Sequence, residues 1–248
     1  MGGSTTGSQG RVNPAVGIAS NYRALIGELP PGVTLVAAVK SRTAAEVMEL
    51  VEAGGRDIGH NYLQEALSMR KALGEYSGSI RWHMIGGLQR NKIGKAVEIF
   101  DLIQSVDSPS KAIAIDSRAR EIGKSNYPIL LQINISEEDT KYGFSPKADF
   151  AKLLHEISAQ CKSLRISGLM TMGAKTSDRA QMARYFGRCR ELFEELHKMP
   201  GANMRHLSMG MTDSYRVAIE KGANMLRIGS AIFGPRPRAE ALGKKGGG

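Results

Sequence analysis

Lys40 closes a short apolar run, Leu35-Val36-Ala37-Ala38-Val39, which Pro30, Pro31 and Gly32 precede. The run has the composition of a buried strand, so its last residue delivers a primary amine to the start of a loop. A lysine shielded from water at such a place can attack a carbonyl and form a Schiff base. The plainer alternative is a strand whose first polar residue reaches solvent. A second set of chemical residues lies far downstream, in Ser208-Met209-Gly210-Met211-Thr212 and in Gly229-Ser230-Ala231. Each stretch carries a glycine that lets backbone approach a ligand, a hydroxyl, and a following segment whose first amides suit an anion. Singly, each also reads as an ordinary Gly/Ser turn that caps a helix.

The elements that must position these groups alternate regularly. Strands are expected at 34–39, 57–59, 81–85, 102–105, 129–134, 165–171, 205–207 and 225–228. Helical patterns fall near 43–53, 62–73, 89–99, 109–123, 146–160, 177–198 and 213–221. An extra N-terminal helix over 16–29 is expected to start from Asn13-Pro14, because proline suits the first helical position. Strand–helix alternation means parallel βαβ units, and eight of them in 248 residues fit a single (β/α)8 TIM barrel, an α/β fold. A doubly wound open sheet is the alternative. No linker or composition shift interrupts 34–234, so one domain is expected over 13–234, between a disordered leader (1–12) and a basic Gly-rich tail (235–248).

Chemistry in such barrels gathers where strands end. Those positions hold Lys40, Asn61, Gly86-Gly87, Ser105, Asn134, Met170-Thr171-Met172, Ser208-Met209-Gly210 and Arg227-Ile228-Gly229-Ser230. Phosphate sites built from the loops after strands seven and eight recur in this fold, which favours phosphate for the two Gly/Ser stretches. An amine and a phosphate cradle at one mouth ask for a ligand with both a carbonyl and a phosphate. Pyridoxal 5′-phosphate (PLP) is the first candidate. A sugar phosphate in a class-I-aldolase-like lyase is the second.

Composition narrows the partners. No apolar run approaches the roughly 18 residues of a membrane span, and the N-terminus lacks a secretory apolar core. Cys161 and Cys189 form no CxxC pair and are expected to be reduced, in a cytoplasmic protein. No His/Cys cluster has metal-ligand spacing, so no metal is expected. The net charge of +10 sits partly in the tail, at Arg236, Arg238, Lys244 and Lys245. Aromatics are 6% of the chain and no basic patch interleaves with them, so nothing supports a nucleic-acid partner.

Several stretches, in order, resemble the pyridoxal-phosphate homeostasis protein family, PLP-binding barrels related to the N-terminal domain of alanine racemase. They include Leu35–Lys40, Gly59–Glu65, Trp82–Lys92, Gln104–Ser108, Lys141-Tyr142-Gly143, Gly168–Met172, Leu207–Thr212 and Arg227–Gly234. The resemblance implies that Lys40 forms the Schiff base and that Arg227 faces the pyridine nitrogen. It further implies that Ser208, Gly210, Gly229 and Ser230 hold the phosphate, while Asn61 and Met172 line the cofactor. Four residues depart from the family pattern. Ser-Lys-Thr is replaced by Val39-Lys40-Ser41, the glutamate of Gly-Glu-Asn-Tyr by His60, and a common histidine by Gly87.

A guanidinium does not give up its proton, so Arg227 would leave the pyridine nitrogen unprotonated, as in racemases rather than transaminases. A racemase also needs an acid/base group on each face of its substrate. Only fourteen residues follow Gly234, so no second domain is expected to close over Lys40. The expected role is therefore an accessible PLP carrier in intracellular vitamin B6 and amino-acid homeostasis, without strong turnover. It would exchange PLP with apo PLP enzymes and act as a monomer rather than a dimer. A weak racemase or lyase is the alternative, with Lys40 its one catalytic candidate. Elsewhere, Tyr62 and Trp82 are expected to pack, His83 to be a satisfied core histidine, and Lys141 to be a solvated loop lysine.

Overall fold

Eight short apolar strands pair in parallel and close into a barrel in sequence order. They are β1 (Thr34–Ala38), β2 (Asp57–His60), β3 (Arg81–Met84), β4 (Leu102–Val106), β5 (Tyr127–Gln132), β6 (Leu164–Met170), β7 (His206–Ser208) and β8 (Met225–Ile228). The computed structural model describes residues 17–173, 176–199 and 203–235. The pairing of β1 with β8, from Thr34↔Met225 to Ala37↔Ile228, completes the ring and rules out the open sheet. The cladding helices are α1 (Ile18–Glu28), α2 (Ala44–Glu52), α3 (Leu63–Leu73), α4 (Ile93–Ile99), α5 (Pro109–Glu121), α6 (Phe150–Gln160), α7 (Arg179–His197), α8 (Tyr215–Glu220) and α9 (Ser230–Phe233).

Side-chain alternation along the strands makes two cores. Leu35, Ala37, Ile58, Trp82 and Ile103 join the large layer between strands and helices. Val36, Ile85, Leu102, Leu130, Met170 and Met225 form a separate small cluster inside the ring. Helix starts follow local chemistry. Thr43 and Glu46 form a capping box at α2, where a threonine start signal lies. The segment expected from 146 begins later, at Phe150, because the Asp149 carboxylate accepts from the Lys152 amide and Pro146 stays outside the helix. The segment expected at 89–99 splits into a 3-10 turn, Arg90–Lys92, and α4. Helix α9, four residues long, was not expected as a separate element.

The N-terminal helix is tied to the end of the barrel. Asn21 Nδ2 donates to the Ile232 carbonyl at 3.1 Å. Arg42 donates to the carbonyls of Phe233 at 3.1 Å and Gly234 at 2.6 Å. The leader, the Asn13-Pro14 start and the tail beyond Pro235 lie outside the described residues. No described helix is long and apolar enough to cross a membrane.

Candidate functional site

Lys40 stands two residues past β1, at the mouth formed by the strands' C-terminal ends. Its Nζ donates to the Tyr62 hydroxyl at 3.4 Å and lies 5.0 Å from that ring's centroid. Lys40 is half-buried and Tyr62 is 52% exposed. The amine is therefore not sealed from water as a desolvated lysine would be, and Tyr62 is a partner of the amine rather than a packing residue. Asn61, beside it, is pinned by the next loop. A Cβ on Gly86 would stand 2.3 Å from the Asn61 carbonyl oxygen, so only glycine lets the two loops meet.

Arg227 rises from β8 inside the ring and is 3% exposed. Its Nη1 donates to Ser208 Oγ at 2.6 Å and its Nη2 to the Thr171 carbonyl at 2.8 Å, with Met172 Sδ at 3.7 Å. No carboxylate is among these partners. Burial lowers its pKa to about 10, which leaves it a cation near neutral pH. The Ser208 hydroxyl donates to Gln104 Oε1 at 2.6 Å, so this hydroxyl turns into the barrel and joins Arg227 to Gln104.

The two Gly/Ser stretches do meet, through Thr212. Ser230 Oγ donates to Thr212 Oγ1 at 3.0 Å, and the Ala231 amide donates to the same oxygen at 3.3 Å. Gly210 has φ +95°, and a Cβ there would lie 2.7 Å from the Ala218 Cβ. Its carbonyl accepts from the Arg227 amide at 3.1 Å, which fixes the β7 loop against β8. Gly229 lies against the end of β1, where a Cβ would come 3.1 Å from the Ala38 carbonyl. Ring closure thus sets Lys40, Gly229 and Ser230 on neighbouring strand ends, above Arg227.

Across the mouth a cavity of about 440 Å³ is lined by Asn61, Gly86, Gln132, Lys141, Thr171 and Met172 among others. Lys141 differs from the solvated loop lysine expected. It donates to the Gly173 carbonyl at 2.7 Å, to Glu138 at 2.6 Å and to Ser136 Oγ at 3.3 Å, and so ties the β5 loop to the β6 loop. Its acidic neighbours in sequence hid the long-range carbonyl. Trp82 is 1% exposed and packs outside the ring, stacked on His60 at 5.5 Å. Cys161 and Cys189 are buried and unpaired, with burial raising their thiols to about 11 and about 12. No group of metal-ligating side chains occurs among the described residues.

The family model described as the alanine racemase N-terminal domain matches residues 17–237. A protein of Synechocystis named pyridoxal phosphate homeostasis protein is 38% identical over 224 residues, covering 88% of this chain and 98% of the relative. A Bos taurus protein of the same name is 37% identical over 218 residues, 85% of this chain and 80% of the relative. The chain belongs to the pyridoxal phosphate homeostasis protein family. The solved structure of PipY from Synechococcus elongatus, with PLP bound, is 34% identical, with a TM-score of 0.79 over 88% of this chain and 100% of that one. Alanine racemase of Clostridium difficile, at 15% identity and a TM-score of 0.70 over 90% of this chain and 58% of its own, shares the fold alone.

Within this pyridoxal phosphate homeostasis barrel, three of the four residues expected to depart from the family pattern fall together, and Gly87 lies apart. Val39, Ser41 and His60 line one pocket behind the end of β1, with Glu65 of α3. His60 is fully buried and, among the described residues, neither ring nitrogen finds a hydrogen-bond partner. Burial lowers its pKa to about 4, so the ring is neutral. Gly87 leaves open space in front of the Tyr142 ring, 3.9 Å from where a Cβ would be.

Proposed function

We propose that this chain holds PLP through Lys40 at the barrel mouth and serves intracellular PLP homeostasis by binding and delivery rather than by strong turnover. One observation carries the reading. Ring closure places an amine at the end of β1 beside the Gly229–Ser230 turn at the end of β8, over a buried arginine whose hydrogen-bond partners among the described residues include no acid. The residues present fit the cofactor by their chemistry. When bound, PLP supplies an aldehyde for the amine and an electron-withdrawing ring.

Each residue has a task in this reading. Lys40 gives the amine, and the Tyr62 hydroxyl steadies it. Arg227 faces the ring nitrogen as a donor that keeps its own proton at neutral pH. Gly210, Gly229 and Ser230, joined by Thr212, offer backbone and hydroxyl groups to the phosphate. Ser208 acts on the cofactor through Arg227, which it orients. Asn61 and Met172 line the ring's surroundings. The exposure of Tyr62 and Ser230 and the half-exposure of Lys40 support exchange with solvent and with apo PLP enzymes. The working unit is the barrel over 13–234, a cytoplasmic monomer with 235–248 as its tail.

Titrating the purified protein with PLP should produce the absorbance band of a lysine-bound cofactor, and borohydride should fix it on the peptide that holds Lys40. Lys40→Ala should abolish both. Transfer to an apo PLP enzyme should restore that enzyme's activity. Amino-acid racemisation well above that of free PLP would favour the weak-enzyme alternative and overturn the carrier.

A further inference from the structure

A line of hydrogen bonds runs down the inside of the barrel, from its mouth to its opposite end. Arg227 Nη1 meets Ser208 Oγ at 2.6 Å, and Ser208 Oγ meets Gln104 Oε1 at 2.6 Å. Gln104 Nε2 meets His83 Nδ1 at 3.1 Å, and His83 Nε2 meets Asp57 Oδ1 at 2.9 Å. Asp57, at the start of β2, also takes Arg81 Nε at 2.7 Å, and Arg81 is exposed at the far face. All five members of the line are buried.

The ends of this line determine every bond within it. Arg227 can only donate. Asp57 can only accept. Burial pushes its carboxyl up, but the hydrogen bonds from His83 and Arg81 outweigh that and hold it at about 2. With the His83 ring neutral, each of the three groups between them must then accept on the Arg227 side and donate on the Asp57 side. One arrangement satisfies this. The Ser208 hydroxyl gives its proton to the Gln104 oxygen, the Gln104 amide donates to His83 Nδ1, and His83 carries its proton on Nε2. Proton placement and amide orientation, ordinarily matters of assignment, follow here from valence for a neutral His83 ring.

Arg227 has two oxygen acceptors. The Thr171 carbonyl is fixed by the backbone, but Ser208 can rotate. Its oxygen keeps a lone pair turned to Arg227 while its proton points to Gln104. We propose that Gln104 is a positioning residue that aims Arg227 at the cofactor's ring nitrogen, with His83 and Asp57 locking the Gln104 amide in the required orientation. The proposal rests on the PLP reading given above. It extends the site through the barrel to residues that touch no ligand.

The test combines PLP titration with side-chain NMR. In the wild-type chain without PLP, 15N NMR should show His83 protonated on Nε2 and bare on Nδ1. The opposite tautomer would overturn the line. Gln104→Leu should weaken PLP binding about tenfold, the scale of losing one hydrogen bond to a charged group, and should shift the pH profile of the lysine-bound absorbance band. Gln104→Glu, which keeps the shape but puts an acceptor against Nδ1, should shift that profile and drive a proton onto Nδ1. In an Arg227→Ala background the Gln104→Leu effect should vanish, since it acts through the arginine. Unchanged affinity and band in both Gln104 variants, with PLP uptake by the wild type intact, would sink this proposal and leave the PLP reading standing. An undiminished Gln104→Leu effect in the Arg227→Ala background would also overturn it. A wild-type chain that takes up no PLP would sink both. If Gln104→Leu fails to fold, the wild-type tautomer and Gln104→Glu still decide.

Discussion

His60 and His83 stand on adjacent strands, both buried, and the molecule treats them oppositely. His83 faces into the ring and bonds at both nitrogens, to Gln104 and to Asp57. His60 faces the helix layer, stacks on Trp82 and, among the described residues, bonds at neither. Burial alone therefore says little about a polar side chain; its partners decide whether it holds structure together or costs stability. Inside the ring, polar groups form a complete line beneath the site. In the outer pocket behind Lys40, an imidazole stacks on Trp82 and, among the described residues, leaves its hydrogen-bonding capacity unused.

The contrast can be broken most forcefully from the inner side. Asp57→Ala should cost about 3 kcal/mol or more in urea unfolding, because it leaves the buried His83 N–H without its acceptor and Arg81 without its carboxylate. The outer histidine should show itself next, in acid. Its folded pKa of about 4 lies below the ordinary 6.5, so between these values the unfolded chain binds the extra proton and the folded chain does not. Stability is therefore fully present above pH 6.5 and falls by about 3 kcal/mol as pH drops toward 4. Urea midpoints measured across that range should track the loss, and His60→Leu should flatten it. At pH 7.5, His60→Leu should be neutral or stabilising by about 1 kcal/mol, since it removes buried polar atoms that lack a partner among the described residues. A loss of 2 kcal/mol there would mean that His60 has a partner. Smallest of all, Tyr62→Phe should change stability by about 0.5 kcal/mol or less, because the Lys40 contact is long and exposed.

The parts that sequence made legible are those carried by local pattern. Alternating apolar runs and helical spacings gave eight strands and the barrel, and the glycines near 210 and 229 marked the ends of β7 and β8. The inner line was not legible. Its members come from five strands, and each looks alone like an ordinary polar residue in a strand. Ser208 shows the limit well. Its place beside Gly210 suggests a hydroxyl for an anion, but it ends the short strand β7, and its hydroxyl bonds Arg227 and Gln104 inside the barrel. Lys141 failed for a similar reason: three nearby acids account for it locally, whereas the Gly173 carbonyl it holds arrives from another loop. Tyr62, read as packing, contacts Lys40 across a βα turn that periodicity does not describe.

The pairing of β1 with β8, reinforced by Arg42 reaching Phe233 and Gly234, makes the site a seam between the first and last strands. A ligand that touches both sides of a seam binds only the sealed ring. Its free energy of binding is then added to the opening of the whole barrel and not to one loop. Amide exchange in β4 and β5, remote from the mouth, should slow on loading as much as exchange in β1 and β8. A chain whose last strand has not yet docked would have nothing to offer the ligand, so loading would report that folding has reached its final step.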